Sequence, residues 1–265
     1  MQALRRFLGL PWLLPLTALL LRARTVRPAG AFIARELMRV DGARLYRLSD
    51  SGLRVAIRHR SADVVTLGEV FHDRDYVPIP EVERALGHVR TIVDLGANIG
   101  LFGAFAAGRW PDARIVAYEP DPGNIAAHRM TIAANGLGDR WRLVAAAAGA
   151  HRGTARFAAG RASLSHVTSD DGGDVITVDV EDVLQAIAGA DLLKMDIEGS
   201  EWAILADPRF RASPPRVVVM EYHPAGCPSG DARADAEAAL LQAGMTIRSI
   251  KRVDGGYGML WGWRT

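Results

Sequence analysis

The sequence predicts a doubly wound α/β fold, a mostly parallel sheet with helices on both faces that ends in an antiparallel hairpin. Three observations predict it. From residue 91 onward short apolar runs alternate with helix-length segments, a Gly-rich turn separates the first run from its helix, and an Asp-Gly pair divides the last two runs. Parallel neighbours need long crossover connections, and the intervening helices supply them.

Thr91–Leu95 reads as the first strand, Leu101–Arg109 as a helix, Arg114–Tyr118 as a strand, Pro122–Asn135 as a helix and Trp141–Ala145 as a third strand. Leu192–Met195 and Arg216–Met220 supply two more, with the apolar content of strands covered on both faces. Thr154–Ala158 and Val175–Val178 read as extra strands around a polar loop, Gly160–Gly173, that holds Ser163, Ser165 and His166. Asp231–Ala243 is an Ala-rich helix closed by Gly244. Met245–Ile250 and Tyr257–Trp263 then flank Asp254-Gly255-Gly256, a hairpin signal.

Upstream, residues 43–60 read as a hairpin turning at Asp50-Ser51-Gly52. Ser61 is placed to N-cap a helix carrying Val64, Val65, Leu67 and Val70, and a short helix comes next, around Glu81–Leu86. The expected organisation is a hydrophobic N-terminal segment, 1–40, and one domain, 41–265, made of an entry module, 41–87, and a core, 88–265.

Phe7–Leu21 is uncharged and Leu-rich, between Arg5-Arg6 and Arg22 with Arg24. Pro11 and Pro15 interrupt it, and it falls short of the roughly 20 apolar residues of a membrane span. Arg22-Ala23-Arg24 is a poor signal-cleavage site. The expectation is a packed or docking helix, with peripheral contact to a membrane surface or export as the alternatives.

With 32 basic and 30 acidic residues the net charge is +2, which excludes nucleic-acid binding by bulk charge. Cys227 is the single cysteine, so no internal disulfide or thiolate metal cage can form, and a cytoplasmic location is expected.

The chemistry concentrates at strand ends. In Asp94-Leu-Gly96-Ala-Asn98-Ile-Gly100 a strand runs into a Gly-rich turn and a helix, which places backbone N–H groups at the carboxyl edge of the sheet, where ligands bind such folds. A dinucleotide fingerprint counted from Gly96 would need glycine where Asn98 and Leu101 stand, so a nicotinamide-dependent oxidoreductase is the weaker alternative. The Asp94 carboxylate suits a cofactor with a positive centre better than one with phosphates. Glu119, at the end of the next strand, stands where an acid can accept hydrogen bonds from both vicinal hydroxyls of a ribose, and Asp121 before Pro122 is the better helix cap.

Asp94–Gly100, Tyr118-Glu119-Pro120 and Leu193-Lys-Met-Asp196-Ile-Glu198-Gly-Ser-Glu201, in this order, resemble the S-adenosylmethionine-dependent methyltransferases of the Rossmann-like class, and more narrowly the FkbM family. Ser61-Ala-Asp63, Glu69-Val-Phe71, Tyr76 and Val219-Met-Glu221-Tyr-His223 agree with it, so the resemblance covers roughly residues 55–223. It implies S-adenosylmethionine as cofactor. Asp94, Gly96, Asn98 and Gly100 would form the pocket for its methionine part, with Glu119 on the ribose and Ala146–Ala148 near the adenine.

Methyl transfer to a hydroxyl requires alignment and removal of one proton. Asp196 closes the fourth strand on the cofactor side, facing the methionine ammonium or the acceptor, and His223 lies at the carboxyl edge after an apolar strand. Glu198 is either a third catalytic candidate or a helix cap, and Glu201 reads as a first-turn acid favoured by the helix dipole. A divalent metal on these acids stays open. The expectation is O-methylation of a hydroxyl on a small metabolite, sugar or polyketide. A cofactor-binding protein of the same fold without catalysis is the remaining alternative.

Overall fold

The computed structural model describes residues 13–38, 40–158, 166–167, 175–252 and 255–264. Residues 1–12, most of the 160–173 loop and Asp254 of the last turn lie outside them.

The core is a seven-stranded sheet. Its strands are β4 (Thr91–Leu95), β5 (Arg114–Tyr118), β6 (Trp141–Val144), β11 (Leu192–Met195), β12 (Val217–Tyr222), β13 (Thr246–Arg252) and β14 (Gly258–Trp263). They lie in the order β13-β14-β12-β11-β4-β5-β6. All neighbouring pairs from β12 to β6 are parallel, whereas β14 runs antiparallel to both β12 and β13. The last strand of the chain therefore inserts beside β12 and pushes β13 to the edge. Its whole length is buried, as an inserted strand's must be, and Trp261 and Leu260 are fully covered.

The central strands read as unbroken apolar runs because helices cover both faces: every residue of Leu192–Met195 and of Val217–Met220 is buried. The crossovers are α5 (Leu101–Arg109), α6 (Pro122–Ala134), α8 (Glu201–Ala206) with α9 (Pro208–Ala212), and α10 (Ala232–Gln242). Between β6 and β11 the chain forms a second sheet from β7 (Ala147–Gly149), β8 (Gly153–Ala158), β9 (His166–Val167) and β10 (Val175–Asp182), in the order β7-β10-β8-β9, and then the short helix α7 (Leu184–Ile187).

The entry region holds α1 (Leu13–Ala23), β1 (Val26–Arg27), α2 (Ala29–Met38), β2 (Ala43–Leu48), β3 (Arg54–Arg58), α3 (Asp63–Gly68) and α4 (Pro80–Leu86). β1 pairs with the β2–β3 hairpin, so the chain crosses the expected boundary at residue 40 within one sheet. Phe32 of α2 is fully buried edge-on against Tyr46 and His59, and Glu36 accepts from the Arg60 N–H and reaches His59 Nδ1 at 3.0 Å. No helix among the described residues is long and apolar enough to cross a membrane.

After Gly68, α3 widens into a π-helical turn, Glu69–Asp73, ended by Arg74 in the left-handed region. Such turns recur at functional sites. This one roofs the carboxyl edge of the core sheet.

Candidate active site

A cavity of about 380 Å³ opens at that edge. Its floor is the turn after β4. Gly96 has φ +75, and a Cβ there would overlap the carbonyl oxygen of Asp196, so only glycine lets the β4 and β11 ends approach this closely. Asn98 is also left-handed, φ +48, a conformation its side chain supports by accepting from the Ile99 N–H at 2.8 Å.

Glu119 faces the cavity from the end of β5 and is 4% exposed. It accepts from the Asn98 N–H at 2.7 Å, the Asp121 N–H at 2.9 Å and Asn124 Nδ2 at 3.2 Å. Burial pushes its carboxyl up to about 7 against these three donors. Asp121 does the capping of α6, accepting from the Gly123 and Asn124 N–H groups, which leaves Glu119 for the cavity. Ala147, Ala148 and Phe157 close this end.

Asp94 and Gly100 stand apart from the lining. Asp94 is fully buried beneath the turn, directly across from Lys194 in the β4–β11 register, and their charged atoms lie 3.3 Å apart. Lys194 Nζ donates to the carbonyls of Gly96 at 2.6 Å and Leu95 at 3.3 Å, so the pair pins the turn from below. Asp94 is thus not among the residues that line the cavity; it supports the turn that does. Gly100, φ +86, leaves room for the ring of His128, which a Cβ would meet at 2.6 Å. Burial lowers His128 to about 4, so it is neutral, and its Nδ1–H donates to the Asn98 carbonyl at 3.2 Å.

The other end gathers Asp196, Glu198, Glu221, His223 and Glu69 around one space, with Tyr76 and Tyr257 as walls. His223 Nε2 lies 3.8 Å from Asp196 Oδ1 and 3.5 Å from Glu198 Oε2. Behind it, fully buried Glu201 accepts from the His223 N–H at 2.9 Å and its Nδ1 at 3.1 Å, and also from the Gly199 N–H at 2.8 Å. The Tyr257 ring stacks on the imidazole at 11° and 6.5 Å.

Burial opposes charge on His223, but the Glu201 hydrogen bond and the Asp196 and Glu198 carboxylates outweigh it and raise the imidazole to about 9. These neighbours favour the charged form of the imidazole. Burial first, then Asp196, pushes Glu221 up to about 8. Glu198 adopts φ +52 and lines the cavity, and the residue at the N-cap of α8 is Ser200.

The roles of Lys194 and Tyr257 escape sequence reasoning, as does the grip of Glu201 on His223, although its place in the first helical turn is as expected. The two charged residues sit inside the third motif, and only the strand register and the proximity of β12 reveal what each holds. His166 belongs to a segment whose side chains lie outside the described residues.

The sheet order and a ligand cavity across its carboxyl edge define a Rossmann-like methyltransferase fold. The family model described as Methyltransferase FkbM domain matches residues 94–244, more than half of the chain, and the chain belongs to that family. Among solved structures it is similar to the FkbM methyltransferase of Methylobacillus flagellatus, at 16% identity over 94% of this chain and 58% of that one, with a TM-score of 0.48. It is also similar to the METTL16 methyltransferase domain, at 14% identity over 92% of this chain and 79% of that one, TM-score 0.50. At these identities the likeness is one of fold. No curated protein sequence matches.

Proposed function

We propose that the protein is an S-adenosylmethionine-dependent O-methyltransferase that acts on a hydroxyl of a small metabolite, sugar or polyketide. One observation carries the reading: a single cavity joins a ribose-type acid, Glu119, to a cluster of proton-accepting groups around Asp196. Its volume lies in the range of small-molecule sites. The residues fit the cofactor, because the Gly96 cradle admits close backbone approach and Glu119 is a buried acceptor facing the space. The same fit disfavours hydride transfer, since Asn98 carries a side chain where a pyrophosphate needs glycine.

When bound, S-adenosylmethionine supplies a methyl group already activated on a sulfonium. The protein's own part is alignment and proton removal. Glu119 would accept from the ribose hydroxyls, Ala147, Ala148 and Phe157 would form the apolar end for a base, and the Gly96–Asn98 turn would back the amino-acid part. At the other end Asp196 takes the hydroxyl proton of the acceptor, because the neighbours of His223 favour its charged form. The His223 ring, held by Glu201, keeps Asp196 and Glu198 in place beside the acceptor.

A second reading of the same cluster has its own observation: Asp196, Glu221 and His223 offer ligand atoms within 4.8 Å of one another. Two carboxylates and an imidazole suit a hard divalent cation that would orient the acceptor.

The test is transfer of label from methyl-labelled cofactor into metabolite extracts, with Glu119→Ala as control. Label appearing on hydroxyl oxygen with wild type alone supports the reading, and equal transfer by the variant sinks the ribose assignment. Loss of transfer on chelation, restored by magnesium, selects the metal-assisted form.

A further inference from the structure

The third donor to Glu119 is a carboxamide, and a carboxamide has two nearly isosteric orientations. One presents NH₂ to Glu119; the other presents an oxygen that repels it. Arg58 decides between them. Its Nη2 donates to Asn124 Oδ1 at 2.6 Å, which leaves only the NH₂ group to face Glu119 Oε1.

Arg58 is itself clamped. Its Nε and Nη2 donate to the two oxygens of Asp63 at 2.9 and 2.8 Å, and its backbone N–H donates to Asp63 Oδ2 at 2.9 Å. Asp63 is fully buried and opens α3, whose later residues Val65 and Thr66, and then Glu69, line the cavity. Neither Arg58 nor Asp63 reaches the cavity.

We propose that Arg58 and Asp63 are positioning residues for the cofactor's ribose: they fix the Asn124 carboxamide so that Glu119 keeps its oxygens aimed at the vicinal hydroxyls, and they tie this grip to the helix that roofs the acceptor end. A planar guanidinium suits the task, because its fork engages a carboxylate with two bonds and still has a donor for a third partner. The proposal rests on the assignment of Glu119 to the ribose.

The experiment measures binding, by calorimetry, of S-adenosylhomocysteine and its 2′-deoxy and 3′-deoxy analogues to wild type, Arg58→Met and Arg58→Lys. A hydrogen bond to a charged acceptor predicts that wild type prefers the parent ligand by about tenfold to hundredfold. In Arg58→Met this preference falls to within about threefold while affinity for the deoxy analogues holds. Arg58→Lys keeps one contact to Asp63 and should fold where the methionine variant does not, and it shows an intermediate preference. An unchanged preference in a folded variant, or equal losses for all three ligands, overturns the proposal. No preference in wild type overturns the Glu119 assignment itself.

Discussion

At the end proposed for the cofactor, the cavity is walled by the left-handed turn Gly96–Asn98, the alanines of β7, apolar side chains such as Phe157, and one acid with three internal donors. At the other end, proposed for the acceptor, the walls are titratable side chains carried by the π-helical turn and the ends of β11 and β12, with Tyr257 of the last hairpin beside them. The first arrangement fixes one ligand through geometry that few substitutions can keep. The second sets proton affinity and acceptor choice through side chains that can change independently.

The hardest break of this contrast is Gly96→Ala. A Cβ there meets the Asp196 carbonyl and φ is +75, so overpacking and backbone strain together are expected to cost about 3–5 kcal/mol in denaturant unfolding, with loss of S-adenosylhomocysteine binding. Binding retained near wild type would show that the turn yields. On the acceptor side, Asp196→Asn should lower kcat by about 10²–10⁴ and leave S-adenosylhomocysteine affinity within a few-fold. A loss below tenfold would move the base elsewhere in the cluster.

Protonation sharpens the same contrast. Burial holds the Glu119 carboxyl at about 7, above its ordinary 4.5. Its contribution to stability is therefore full below about 4.5 and is lost as pH rises through about 7. Ribose binding needs the ionised form, so cofactor affinity moves the opposite way, about tenfold weaker at pH 6 than at pH 8. A Glu119→Gln variant should lose this slope. The smallest effect is at the neighbouring cap: Asp121→Ala should cost about 1 kcal/mol of stability with little change in cofactor affinity.

The cofactor end was largely legible in the sequence. Thr91–Leu95, Leu101–Arg109, Arg114–Tyr118 and Leu192–Met195 stand where apolar runs and turn residues place them, because each is a short local pattern buried on both faces. The capping of α6 by Asp121 was also legible, since Asp121 directly precedes Pro122. The illegible features depend on register. That Asp94 lies directly opposite Lys194 is a matter of strand register, and Glu201 carries the same signal whether it is only a first-turn acid or also grips a histidine one strand away. The insertion of β14 between β12 and β13 likewise leaves no mark in local pattern, because a hairpin reads the same whichever arm docks.

The widened turn at Glu69–Asp73 makes the roof sensitive to chain length as well as to residue type. Deleting one residue there would restore ordinary helical winding and rotate the upstream flank by about 100° against the downstream one. Glu69 and Val70 would leave the roof together, and the glycine turn below would keep its shape. A single-residue deletion would thus reshape one end of the cavity and leave the other unaltered.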